Sequence, residues 1–547
     1  MDTTEQPSTE GTPQNAVPTP AVLIVGAGPV GLVAACELLQ QGHPVRIIER
    51  RASPNIPENG QSRAILVWPR VLEQLQRIGV SHQIVARGHL LPSVEYYSEG
   101  VVRGVARMDK LDDTPHPYVV TIAQNDTEDI LLKRVNELGG FVDYSSTLTA
   151  LDSTEAGALA EIQSANGTDV ESFRWVVAAG GAGGRVREML GIEFKRDPLD
   201  MTYVIGDFPI DGHVPQTVQY RYSKQGIVVI VPLKDGLFRV AANAPHRQPG
   251  EIAPPDELFH ELVSNRGKLD VRLGPSRWTS SFRPKCGSAL TYRAGSCFIA
   301  GDAAHVVSPA GGQGMNLGIQ DAISIGWRLG GVLSGWLDQS TLEDYSPERI
   351  AAAEVVGSTS AVQVKLGTMK GDHKILARDR AVQLATTLGL LQRVAAPLLS
   401  QIIFSHNGTG AEKLLTRLPW KKADVGDRLP IFAGASIGNT SVELALDRYT
   451  VLVTAPDERT TTHVVDRLRE RLADLPVEIL QLHSKFGRIN EKLSARIGHQ
   501  CVAVVRPDGH LALRVALSDV DSLEAYLRNH THALSPARHE PPLATID

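Results

Sequence analysis

The run Ala21–Glu49, AVLIVGAGPVGLVAACELLQQGHPVRIIE, decides the fold. The apolar, strand-type residues Ala21 to Val25 lead straight into Gly26-Ala27-Gly28-Pro29-Val30-Gly31. A helical pattern then continues through Leu39, and Val45–Ile48 form a second strand ending in Glu49. A GxGxxG motif is informative when a strand precedes it and a helix follows, and both conditions hold here. Gly26 permits the tight turn, Gly28 lets a diphosphate approach the backbone, and Gly31 lets the helix pack on the strand. Glu49 lies eighteen residues beyond Gly31, where a carboxylate accepts hydrogen bonds from ribose hydroxyls. Pro29, Val30 and Arg50 flank these groups and join them as candidate nucleotide contacts.

A second segment supplies the other half of such a site. Cys297–Leu329 reads CFIAGDAAHVVSPAGGQGMNLGIQDAISIGWRL. A short apolar strand runs into Gly301-Asp302, crosses a loop holding Pro309, and turns at Gly311-Gly312-Gln313-Gly314 into a helix with apolar residues at helical spacing. Asp302 can accept from hydroxyls, while exposed N–H groups and the helix dipole favour negative charge. The arrangement suits an extended ligand with hydroxyls at one end and an electron-poor group at the other.

At 547 residues the chain is long enough for two to four domains and a large core, and 42% hydrophobic residues mark it as globular. A formal charge of −6, from 55 basic and 61 acidic residues, gives no reason to expect nucleic acid or an anionic membrane as partner. A small-molecule ligand is the expectation. Cys36, Cys286, Cys297 and Cys501 lie far apart with no CxxC spacing, which fits a reduced, cytoplasmic setting. Residues 1–20 hold no Lys or Arg and no apolar core, so they resemble a disordered leader rather than a signal peptide. The apolar run Leu384–Phe404 is interrupted by Gln392, Arg393 and Pro397, which predicts a packed or subunit-contacting helix, with a homodimer left open, rather than a membrane span.

Between the two decisive segments, Arg63 precedes a helix at Pro69–Ile78, where it can neutralise a diphosphate. Gln124 follows the strand Val119–Ile122 and can bring a neutral amide to the ligand. Trp175–Ala179 is another buried-type strand, running into Gly180-Gly181-Ala182-Gly183-Gly184-Arg185-Val186-Arg187. From about Glu193 to Tyr292 the pattern changes to short alternating strands, including Thr217–Ser223, Gly226–Leu233 and Leu237–Ala242. An antiparallel sheet inserted here commonly covers a substrate cavity, with Tyr203, Tyr220, Arg221, Tyr222 and Arg239 as candidates to line it. Cross-strand pairs on a wet sheet face fit the same alternation equally well.

Residues 406–439, including Gly426-Asp427-Arg428-Leu429-Pro430, read as a linker. Residues 440–547 form a compact unit: strand Tyr449–Thr454, helix Arg459–Ala473, strand Val477–Leu482, a hairpin around Pro507-Asp508-Gly509 and a closing helix, Val520–His530. The order resembles a thioredoxin fold without its cysteines, which favours scaffolding or dimerisation over redox chemistry.

Taken together, Gly26 to Gly31 with Glu49, Arg63-Ala64, Gln124 with Glu128, and Gly301-Asp302 through Pro309, Gly311, Gly312, Gly314, Met315 and Asn316 resemble the single-component FAD-dependent aromatic hydroxylases. This is the p-hydroxybenzoate hydroxylase-like class, in particular its phenol and polyketide hydroxylase branch with a thioredoxin-like tail. The resemblance implies an α/β fold. A Rossmann-like FAD-binding domain would span 21–190 and 291–405, a substrate-binding sheet domain 191–290, and the tail 440–547. It implies FAD as cofactor, with Asp302 on the ribityl chain, the Gly311–Asn316 turn at the isoalloxazine ring and Pro309 near its reactive carbon. It also implies reduction by NAD(P)H, reaction with oxygen to a C4a-hydroperoxide and hydroxylation of an aromatic or polyketide-like substrate. For a base that would activate a phenol, His305, Tyr203 and Tyr222 are the candidates.

One segment departs from the family pattern. Where the family carries Asp-Gly after the strand ending at Ala179, this chain has Gly180-Gly181. The missing carboxylate serves FAD and the nicotinamide cofactor in the family, so a second reaction class follows. In that class a protein of this fold keeps FAD as a structural element and performs a non-redox cyclisation, such as decalin formation from a linear polyene, by holding the substrate in a reactive conformation.

Overall fold

The computed structural model describes residues 20–54, 64–196, 201–244, 253–406, 422–430, 435–437, 440–442, 444–482 and 493–533. Its centre is a six-stranded sheet in the order Arg293–Ala294, Cys297–Ile299, Trp175–Ala178, Val22–Val25, Val45–Glu49, Val142–Tyr144. The four joints among the last five strands are parallel, with Val22 opposite both Trp175 and Val45, Val176 opposite Cys297, and Ile47 opposite Val142. The three central strands, Cys297–Ile299, Trp175–Ala178 and Val22–Val25, are runs of consecutive apolar residues, as expected for strands covered on both faces. Ligand sites in such sheets lie beyond the carboxyl ends of the strands. The three glycine-rich turns that begin at Gly26, Gly180 and Gly301 leave the sheet at that edge.

The helix Pro29–Gln40 returns from the first strand to the second and packs against Gly314–Leu333 and Gln124–Glu137. The close approach is paid for in glycine. A Cβ on Gly31 would lie 1.9 Å from the Gly26 carbonyl oxygen, so no larger residue fits between helix and strand. Trp175, Phe298 and Tyr345 fill the core behind the sheet.

The second layer is a mixed sheet in the order Arg272–Leu273, Thr202–Asp211, Leu237–Ala244, Gly226–Pro232, Val218–Ser223, Ser93–Ser98, Val101–Arg107, with Trp278–Phe282 also pairing to Thr202–Asp211. It differs from the expected 191–290 insertion in two respects. Residues 93–107 contribute two strands, and the joint between Val218–Ser223 and Ser93–Ser98 is parallel, with Val218 opposite Val94. Alternation along one strand fixes which residues share a face but leaves the neighbouring strand unspecified, so the recruitment of 93–107 carries no local signal.

The tail sheet runs Val477–Gln481, Tyr449–Thr454, Cys501–Val505, Leu511–Ala516, the first pair parallel and the others antiparallel. Its helices include Glu458–Arg471 and Val520–His530, and its core includes Trp327, Trp336 and Leu337 from the large domain. Of the expected linker, residues 407–421, 431–434 and 438–439 lie outside the described residues, but 426–430 are not a loose connection. Arg428 is buried and donates to Glu73 at 2.9 Å and to Asp113 at 3.1 Å. Gly, Asp and Pro announce a turn, and a turn packed between domains has the same composition as an exposed one. The four cysteines are buried and none forms a disulfide. Among the described residues no single helix is long and apolar enough to cross a membrane; the apolar run near 384–404 is bent by 83° between Asp372–Thr387 and Leu391–Leu399.

Candidate functional site

Two cavities meet at the carboxyl edge of the central sheet. The first, of about 520 Å³, is floored by the two glycine turns. Gly26, Gly28, Pro29 and Val30 line it from one side, Gly301, Asp302, Gly314 and Met315 from another, and Glu49, Arg50 and Gln124 from the rim. The second cavity is of similar size, about 500 Å³, and mainly apolar. Tyr203, Tyr220, Ile227, Val229 and Phe282 of the mixed sheet form its walls, with Pro309 and Gly312 at the near end. Ala64, Gly183, Asp302, Gly314 and Met315 line both cavities and are therefore the shared partition.

The first cavity has the donor set for an extended anionic ligand. The helix Pro29–Gln40 has no side-chain cap and no acid in its first turn, and neither has Gly314–Leu333. Their first-turn N–H groups therefore remain for a ligand, assisted by the helix dipole. A Cβ on Gly28 would meet nothing within 4 Å, so the backbone there opens onto free space. At the rim, Glu49 accepts from the N–H groups of Ala27 at 2.8 Å and Arg51 at 3.0 Å, which fixes its carboxylate facing the cavity. Arg51 donates to Glu128 at 3.0 Å and to the Ala27 carbonyl at 3.1 Å, and Gln124 donates to Glu128 at 2.9 Å. A carboxylate for ribose hydroxyls, an uncapped helix for a diphosphate and a second uncapped helix at the far end fit a flavin dinucleotide.

Gly31 and Asn316 serve the site from behind the cavity wall. Gly31 allows the close packing described above, and Asn316 donates to the carbonyls of Leu66 at 2.8 Å and Gly312 at 3.0 Å while accepting from Trp68 N–H at 2.9 Å. Asn316 thus ties the start of one helix to the strand Leu66–Val67. Gly311 is buried beside Gln313 and Gln363 and does not line either cavity. Arg63 lies outside the described residues.

The candidates for the substrate side separate by sheet face. Tyr220 and Arg239 line the second cavity, whereas Arg221 points to the opposite face, donating to Gln219 at 2.8 Å and the Gly267 carbonyl at 2.8 Å. This is the period-two consequence of placing Tyr220 inward. Tyr222 shares the inward face but lies beyond the cavity, packed with Tyr96. Arg239 is held by Asp207, with Nη2–Oδ2 at 2.9 Å, and Trp278 donates to the same carboxylate at 2.8 Å, so its charge is compensated inside the wall. Tyr203 hydrogen bonds with Ser308 at 3.2 Å. Burial raises the phenols of Tyr203 and Tyr220, leaving both protonated at neutral pH and available as donors rather than bases.

His305 is not a cavity residue. It is buried with Nε2 2.6 Å from Asp321, whose other oxygen accepts from Arg349 at 2.6 Å. Asp321 also accepts from Gly301 N–H at 2.9 Å, so it anchors the loop that carries Asp302. Burial alone would raise the Asp321 carboxyl, but His305 and Arg349 outweigh it and hold it below the usual range. The sequence reading missed Asp321 and Arg51. A carboxylate within the apolar helix pattern after Gly314 was the available signal for the first; nothing local distinguished Arg51 from Arg50.

Known proteins place this geometry. A family model described as FAD binding domain matches residues 19–360. The chain belongs to this FAD-binding family. FAD is accordingly its cofactor, and the first cavity is where the donor set fits it. Within the family, the chain is 32% identical over 516 residues to an uncharacterized aromatic compound monooxygenase of Bacillus subtilis (strain 168), covering 92% of this chain and 95% of that one. It is 31% identical over 351 residues to a rifampicin monooxygenase of Streptomyces venezuelae, covering 63% and 71%. Among solved structures it resembles the OxyS anhydrotetracycline hydroxylase of Streptomyces rimosus, with a TM-score of 0.73 and 25% identity over 93% of this chain and 98% of that one. The Diels-Alderase PyrE3 of pyrroindomycin biosynthesis shares the fold, with a TM-score of 0.71 at 22% identity over 94% and 100%.

Proposed function

We propose that this flavoprotein is a monooxygenase that hydroxylates an aromatic or polyketide-like small molecule, with NAD(P)H as reductant. The observation that carries this reading is the shared partition. A dinucleotide lying along the polar cavity meets an apolar, aromatic-walled chamber at Asp302, Gly314 and Met315. When bound there, FAD supplies the oxygen-activating chemistry. The chain's own residues bind, orient and exclude water. In this reading Gly28 and the first helical turn hold the diphosphate, Glu49 the adenosine ribose, and Asp302 the ribityl hydroxyls. The turn from Gly312 to Met315 faces the ring, with Pro309 beside it. Tyr203 and Tyr220 donate to substrate oxygens, and the aliphatic walls keep the chamber dry. The mixed sheet is then the substrate-binding part of the chain, and the thioredoxin-like tail a scaffold.

The test is direct. Purified protein should carry a yellow flavin that NADH or NADPH bleaches under anaerobic conditions in the presence of suitable aromatic compounds, with aerobic oxygen uptake and a hydroxylated product. A flavin that stays oxidised under all these conditions overturns the reading.

A second reading is favoured by one observation, the absence of an acid at Gly180 on the wall of the cofactor cavity. A non-redox cyclase that retains FAD as a structural element needs no reductant. It predicts turnover of a linear polyene with the flavin oxidised throughout. The likeness to PyrE3 supports the fold this reading needs, not its chemistry.

A further inference from the structure

We propose that the outer part of the apolar cavity is an oxyanion subsite, formed by Arg187, Arg196, Arg283 and Lys285, which receives an acidic group on a ligand whose apolar part occupies the chamber. The inference rests on the functional reading above for the identity of that ligand, but not for the existence of the subsite.

The four cations line one cavity from three segments. Arg187, on the turn of helix Val186–Met189, lies over the Phe194 ring at 4.0 Å and donates to the Ala303 carbonyl at 3.0 Å, which fixes its guanidinium at the cavity wall. Arg196 ends the strand Phe194–Arg196, which pairs antiparallel with Gly287–Ala289 so that Arg196 faces Gly287. Lys285 and Arg283 precede Gly287 in the chain. All four line the same cavity, and Arg196, Arg283 and Lys285 are exposed.

Charge balance gives the rim its direction. Among the described residues lining this cavity, Asp302 is the one carboxylate, and the remaining lining cation, Arg239, is already compensated by Asp207. Burial pulls the Arg187 guanidinium down; Glu188 opposes it, the like charge of Arg196 adds to the depression, and Asp302 opposes it least. Like charges gathered at the mouth of a low-dielectric cleft concentrate the potential and attract an anion, and guanidinium forks match carboxylate and phosphate geometry. Phe194, Tyr203 and Phe282 beside them offer aromatic faces to the rest of the ligand.

The chemistry is that of an oxyanion, and two sources can provide it: a carboxylate or ionised phenol on the substrate, or the extra phosphate that distinguishes NADPH from NADH. The experiment uses the full-length holoprotein and the double variant Arg196→Glu/Lys285→Glu, with Arg196→Gln/Lys285→Gln as the milder form should charge reversal impair folding. Bound flavin content reports intact protein. Naphthoate and naphthalenemethanol, an isosteric anionic and neutral pair, are titrated against the flavin spectrum, and flavin reduction is timed with NADPH and NADH. The expected result is a loss of about tenfold in affinity for naphthoate, with naphthalenemethanol unchanged and the wild-type preference shrinking as salt rises, which assigns the subsite to substrate. A loss confined to NADPH supports the same subsite and assigns it to the reductant. Variants with full flavin content that treat all four compounds as the wild type does overturn the proposal. Equilibrium binding of the naphthalene pair needs no turnover, so failure of the monooxygenase reading shows separately, as absent flavin reduction in the wild type.

Discussion

The two cavities share a wall yet differ in how they are made. The polar one is built by backbone: uncapped helix starts, glycine turns and a carboxylate at fixed distance along a contiguous segment. The apolar one is built by side chains on a sheet whose strands come from 93–107 as well as 202–282. A ligand recognised through main-chain groups leaves spacing rules in the sequence. A ligand recognised through side-chain shape leaves only alternation, and the facing of each residue waits on strand pairing.

The contrast is broken most severely at Gly31. Gly31→Val would drive side-chain atoms into the Gly26 carbonyl, whose oxygen already lies within 1.9 Å of a bare Cβ. The turn must move, and the expected outcome is protein purified without flavin, read from its visible absorbance. A Gly31→Val protein with full flavin content would show that the polar cavity does not depend on that close approach.

A paired experiment sharpens the contrast. Each cavity is supported by a buried carboxylate that holds an arginine: Asp321 with Arg349 behind the polar cavity, and Asp207 with Arg239 in the wall of the apolar one. Asp321→Ala and Asp207→Ala each leave a buried guanidinium without its partner, which costs about 3–5 kcal/mol of stability, measured by denaturant midpoint. Their functional signatures should differ. Loss of Asp321 frees the Gly301 N–H and loosens the Asp302 loop, so flavin affinity falls; loss of Asp207 should spare flavin and weaken aromatic ligand binding. Equal loss of flavin in both variants would show that the two cavities are not separately supported.

The tail interface gives a third region with its own pH response. Here the turn Arg506–His510 inserts beside Trp327 and Glu348. Arg506 donates to Glu348 and to Asp508, each at 2.6 Å, and the rings of His406 and His510 lie 3.9 Å apart. Burial pushes His510 down to about 4, with Asp508 opposing and Arg70 and Arg506 adding to the depression; burial lowers His406 as well, against the pull of Glu348. Between the ordinary histidine value and about 4 the unfolded chain binds a proton that the folded chain refuses, so stability falls as pH falls through that window. For His510 this amounts to about 1.4 kcal/mol per pH unit, or about 2 kcal/mol by pH 5. The expected melting temperature drops between pH 7 and 5 and recovers part of that loss in His510→Gln, while flavin stays bound at temperatures below the transition. Release of flavin at pH 5 without heating would tie the cofactor cavity to this interface.

Legibility in the sequence follows the same division. Gly26, Gly28, Glu49, Asp302 and Gly314, the cofactor contacts expected from the sequence, line one cavity, and they are legible because strand, turn and helix succeed each other within one segment. Arg221 points away from the cavity that Tyr220 lines because adjacent strand residues face opposite ways, and His305, a base candidate by sequence, is buried against Asp321. Arg428 in a stretch read as linker, and Ser93–Ser98 in a sheet assigned to later residues, depend on partners far away in the chain, about which local composition says nothing.

The smallest expected effect is at Gly180, and it decides between the two readings of the flavin. A Cβ there would stand 3.7 Å from the Gly184 Cα and 4.0 Å from the Val25 carbonyl oxygen, ordinary contacts on the wall of the polar cavity. An aspartate can therefore be introduced without distorting the turn. If Glu49, Asp302 and the two uncapped helices suffice to hold a redox-active cofactor, Gly180→Asp should keep full flavin content and change the rate of anaerobic reduction by NADH or NADPH less than about threefold, within the range of one solvent-screened charge. A protein whose flavin is inert as isolated but reduced once the acid is present would show that the native chain lacks the group reduction requires. The non-redox reading would then hold for the wild type.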